Sequence, residues 1–182
     1  MTATAAPNGT TRIRPANLDL LTASNGGDYS GQKWVSVEQA GNNSSGQTIS
    51  VQFTKPVYCV SFYVTDIDTQ FASASNKYRD QVTVPNFTAT TVDASRPYVT
   101  ASGGQAKATN TADSSDRDTW EWNSATSQNG LVKFTDTSGS PVSSFTLTFN
   151  NISPGTGTGV NDNVQQIYIS PLQYSDVPCA CN

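Results

Sequence analysis

Residues 57–65, VYCVSFYVT, decide the fold class, because Val57, Tyr58, Val60, Phe62, Tyr63 and Val64 put apolar side chains on both parities of one short segment. A strand with one face in water alternates apolar and polar residues, whereas a strand apolar on both parities is covered on both faces. The segment is read as the central strand of a β-structure. Pro56 punctuates it from a run over 48–54 that alternates through Ile49, Val51 and Phe53 and is read as a strand of its own.

The same signals extend in both directions. Upstream, residues 34–37 read as a short strand and AGNNSSGQ (40–47) as a loop. Downstream, strands are expected at 81–84, 98–101 and 120–122. Residues 131–135 and 143–149 flank the turn sequence DTSGSP (136–141), with Phe145, Leu147 and Phe149 alternating against Thr146 and Thr148; this reads as a hairpin with one buried face. A Gly-rich loop (150–163) and a last strand at 164–170 follow. Seven to ten strands without a linker predict one all-β domain, a single antiparallel β-sandwich with little or no helix. Its expected extent is 31–175, after a polar N-terminal lead-in (1–30) and before a C-terminal tail (176–182).

Composition agrees. Six Leu and two Glu against 15 Val, 24 Thr and 14 Phe plus Tyr exclude a helical bundle. A net charge of -4, with no run of Lys or Arg, opposes binding to a phosphate backbone, so nucleic acid is not expected as a partner. No apolar stretch reaches the roughly 18 residues that a membrane-spanning helix requires, and no membrane insertion by this segment is expected. The absence of His removes Ser-His-Asp and Cys-His nucleophiles and His-ligated zinc. Carboxylates for a glycosidase pair exist, but no catalytic motif accompanies them, and the chain is read as a binding protein rather than an enzyme.

Three features carry candidate chemistry. Asp66 and Asp68 follow the central strand directly as D-x-D, and Tyr78-Arg79-Asp80 returns a third carboxylate before the next strand. Side chains two apart on extended chain point the same way, so Asp66, Asp68 and Asp80 are candidate oxygen ligands for a structural calcium. The alternative is that they cap turns as Asx motifs, with Arg79 neutralising one of them. Second, Asp116 and Asp118 precede Trp120 and Trp122, which places acceptors for sugar hydroxyls beside apolar indole faces; these four are the candidate ligand-binding residues, with core packing of the two Trp as the rival. Third, Cys59, Cys179 and Cys181 make an odd count. A disulfide from Cys59 to the tail is one reading, and a buried Cys59 thiol with an independent Cys-x-Cys tail is the favoured one.

The elements in order, TISVQFTKPVYCVSFYVTDIDTQ (48–70), YRDQVTV (78–84), PYVTASGG (97–104), LVKFTD (131–136), SSFTLTFNN (143–151) and QQIYISPLQY (165–174), together resemble the lectin-like non-repetitive domain of Gram-positive cell-wall adhesins, similar to the second non-repetitive region of a streptococcal fibrillar adhesin. The resemblance covers residues 30–175. It implies a lectin-like or jelly-roll-like sandwich displayed on a bacterial cell surface, attached to the cell wall through another part of the protein. A glycan or a host matrix protein is the implied partner. A structural subunit or stalk module of a surface filament, with self-association through sheet edges or the cysteine tail, is the alternative expectation.

Overall fold

The computed structural model of the chain describes residues 2–6, 12–13, 35–39, 46–67, 69–70, 78–92, 99–108, 131–152 and 165–178. These contain thirteen strands and no helix. They are β1 (Thr2–Ala6), β2 (Arg12–Ile13), β3 (Val35–Gln39), β4 (Gln47–Thr65), β5 (Thr69–Gln70), β6 (Tyr78–Thr83) and β7 (Phe87–Thr91), then β8 (Val99–Ser102), β9 (Gln105–Ala108), β10 (Val132–Asp136), β11 (Val142–Asn151), β12 (Gln165–Ile169) and β13 (Gln173–Ser175). Every pairing is antiparallel.

β4 organises the molecule by belonging to two sheets. Its first part pairs with β1 on one edge and β11 on the other, and the first sheet runs β1-β4-β11-β6-β9-β8. Its second part pairs with β10 on one edge and with β12 and then β13 on the other, so the second sheet runs β2-β3-β12-β4-β10-β7. The far edges approach one another: the Ala89 amide on β7 donates to Gly103 O, in the turn between β8 and β9, at 2.6 Å. The result is an antiparallel sandwich nearly closed into a barrel.

The two strands expected on either side of Pro56 are one continuous strand. The ladder with β11 slips there, since Gln52 faces Ser144 while Val57 faces Val142. Five steps along β4 thus oppose two along β11, a large bulge that redirects β4 from one sheet to the other. Pro56 sits in that exposed bulge, where no ladder amide is needed. Just beyond it, Cys59 adopts a left-handed backbone (φ 51°).

Cys59 also corrects the reading of a buried free thiol. Its sulfur is in a disulfide and the residue is only half-buried. The only other cysteines in the chain, Cys179 and Cys181, lie outside the described residues. The local reason is that β13 runs along β4, with Ser175 opposite Tyr58, and carries the C-terminal segment to this bend.

The expected hairpin is corrected as well. β10 pairs with β4 and β7, and β11 pairs with β4 and β6, so the turn at 136–141 crosses between sheets instead of joining partners. Both strands are satisfied by different halves of β4. Within the expected lead-in, residues 2–6 pair with β4 and residues 12–13 with β3. The strand expected at 120–122 lies outside the described residues.

Between the sheets lies a phenylalanine core. Phe62 contacts Phe134 at 5.6 Å and Phe145 at 5.4 Å, and Phe87 lies 5.0 Å from Phe145. Val60, Val64, Val82, Val132, Leu147, Phe149 and Ile167 complete it, all essentially inaccessible. Full burial of each contributes roughly 1.5–3 kcal/mol.

Candidate functional site

The two ends of the sandwich differ in chemistry. At one end β4 stops at Thr65, and the chain turns through Asp66, which takes a left-handed backbone (φ 64°). It then reaches β5, where Thr69 pairs with Arg79. Asp80 follows on β6, opposite Asn151, and Gln47 begins β4 opposite Phe149. Gln47, Thr65, Asp66 and Asp80 are all buried at this end, and Thr65 Oγ1 has no hydrogen-bond partner among the described residues.

Topology therefore brings Asp66 and Asp80 to the same end. Asp68 lies outside the described residues. Among the described residues no three His, Cys, Asp or Glu side chains group as metal ligands.

Asp116, Asp118, Trp120 and Trp122 also lie outside the described residues. The residues flanking that stretch are placed: Ala108 is one step past Lys107, which faces Gln81, and Leu131 is one step before Val132, which faces Val64. Both flanks are at the Asp66 end.

Sequence reasoning missed a site at the opposite end, where β4 bends. There the turn Pro85-Asn86, the crossing turn after Asp136 and the start of β11 enclose an open groove of about 620 Å³, within the usual range for small-ligand sites. Phe87 and Phe145 line it and continue into the aromatic core, which fixes their positions. Ser50, Asn86, Ser138, Ser143, Ser144 and Thr146 contribute hydroxyl and amide groups. Asn86 holds φ 67°, a conformation that Asn tolerates better than most residues.

Asp136 is the only charged side chain lining this groove among the described residues. It stands opposite Phe87 on β7, and its residue is 3% exposed. Oδ1 accepts the Ser138 backbone N–H at 3.0 Å, and Ser138 Oγ in turn accepts the Ser140 N–H at 3.1 Å, so one carboxyl oxygen shapes the turn. Oδ2 is buried and has no hydrogen-bond partner among the described residues, a condition that costs an acceptor about 1–3 kcal/mol. The arrangement is a binding site for a molecule rich in O–H or N–H groups, with an apolar patch against the phenylalanine edges.

The turn chemistry of DTSG and PN was visible in the sequence, but their meeting depends on Asp136 facing Phe87 and Ser50 facing Thr146. No periodicity predicts those registers. No protein-family model, curated protein or solved structure matches the chain.

Proposed function

We propose that this chain is an extracellular binding domain of the adhesin type, taking a glycan in the groove at the bend of β4. The observation that carries the reading is the groove lining, in which hydroxyl and amide side chains of Ser50, Asn86, Ser144 and Thr146 stand beside Phe87 and Phe145, with the Asp136 carboxyl shaping the turn that frames them. Saccharides complement this lining, with several hydroxyls to pair with its Ser, Thr and Asn groups around an apolar ring face that suits the phenylalanines. The resemblance to cell-wall adhesin domains supports display on a bacterial surface. In this reading calcium at Asp66, Asp68 and Asp80 stiffens the other end, and no catalysis is involved.

The test is binding of the purified, folded protein to an array of glycans and matrix proteins, with calcium and with chelator. Glycan binding that is weakened but retained in Asp136→Asn is the expected result. Binding to matrix protein alone, or to nothing, would overturn the glycan reading.

A second reading, a stalk or filament module, is favoured by β1. It pairs with β4 along one edge, and its other edge has no ladder partner among the described residues. Light scattering across a concentration series separates the two: a filament module forms concentration-dependent multimers, and an adhesin domain stays monomeric.

A further inference from the structure

We infer that the groove selects uncharged glycans and rejects those capped with sialic acid or sulfate. The inference rests on the glycan reading above and adds the class of ligand. Its basis is the charge inventory of the groove. Among the described residues the lining contains one carboxyl, Asp136, and no Lys or Arg. Lys55, in the β4 bulge, lies on the exposed surface 3.1 Å from Asp176 and does not line the groove.

An anionic sugar seated here meets a carboxyl with no compensating cation. Sites that accept carboxylate or sulfate supply Arg or Lys for bidentate or point-charge contact. This groove supplies acceptors and hydroxyls. A ligand anion brings only further acceptors and a second negative charge beside the Asp136 carboxyl. The hydroxyls and amide of Ser50, Asn86, Ser144 and Thr146 can each serve neutral O–H, N–H or acetamido groups. The chain's net charge of -4 adds a long-range term of the same sign.

The experiment uses the folded wild-type protein on matched glycan pairs that share one core, either uncapped, sialylated or sulfated, at low and high salt. Expected are binding to uncapped cores and a loss of about tenfold or more on capping with either anion. The loss should shrink at high salt, and in Asp136→Asn it should shrink to about threefold or less. Because the wild-type comparison alone tests the charge preference, a variant that fails to fold leaves the result intact. Sialylated or sulfated partners bound as tightly as the uncapped core, or more tightly, overturn this inference while leaving the groove a glycan site. No binding to any glycan of either class overturns the glycan reading itself, and the preference falls with it.

Discussion

Phe62 on the second half of β4 and Phe145 on β11 stack with ring centroids 5.4 Å apart and planes 16° from parallel, although their strands meet at this point from opposite sheets. The contact joins the sheets directly. Phe62→Ala should cost about 3–5 kcal/mol in urea unfolding. A double-mutant cycle with Leu at both positions should show a coupling of about 0.5–1.5 kcal/mol. Additive losses would mean that the stacking geometry contributes nothing beyond burial.

The state of Cys59 gives a prediction readable by mass. Alkylation of the denatured, unreduced protein should add one label, and three after reduction, because a disulfide at Cys59 leaves one thiol among three cysteines. Cys59→Ser should lower stability by about 2–5 kcal/mol. Three labels without reduction would show the bridge to be absent in solution.

Two neighbouring glycines should respond differently to alanine. At Gly104 an added Cβ runs into the Val84 carbonyl oxygen, a backbone atom that cannot swing away. At Gly103 the space is open and only the left-handed backbone (φ 52°) resists, a cost of roughly 1–2 kcal/mol. Thermal melting should therefore fall further for Gly104→Ala than for Gly103→Ala. The reverse order would mean that the β8–β9 turn relaxes freely away from β6.

Calcium at the Asp66 end is tested with a variant that keeps the backbone conformation. Asn accepts the left-handed region that Asp66 occupies, so Asp66→Asn removes the charge without adding strain. Wild type should melt at a lower temperature in chelator than in calcium, and Asp66→Asn should melt alike in both. A wild type indifferent to chelator would leave Asp66 as a turn residue only.

Much of the sheet was legible because apolar alternation reports a buried face directly, as at Ile49, Val51 and Phe53 and at Phe145, Leu147 and Phe149. Strand β7 was missed because its inward residues are Phe87 and the small Ala89, set among threonines that stay exposed or half-buried, which leaves a weak signal. Pro56 was misleading for a physical reason: it ends a flat ladder but suits a bulge, and the sequence does not distinguish them. The site was less legible still. Asp66 and Asp80 share an end because β5 pairs with β6, a contact between elements of two and six residues. The groove gathers Ser50, Asn86 and Asp136 from three separate stretches, and only strand register brings them together.

The bridge at Cys59 also determines how the molecule responds to tension. Whichever tail cysteine closes it, residues 60–178 lie inside a covalent loop, so a pull on the two ends of the chain passes from the tail straight to Cys59 and bypasses everything from the second half of β4 to β13. Only residues 1–58 can be drawn out, about 200 Å of extended chain instead of the roughly 600 Å of the whole. The aromatic core around Phe62, Phe87 and Phe134, and the carboxyl of Asp136 beside it, carry no load while β1 peels from β4. Under stretching the protein lengthens by a fixed, short step, and a reductant removes that limit.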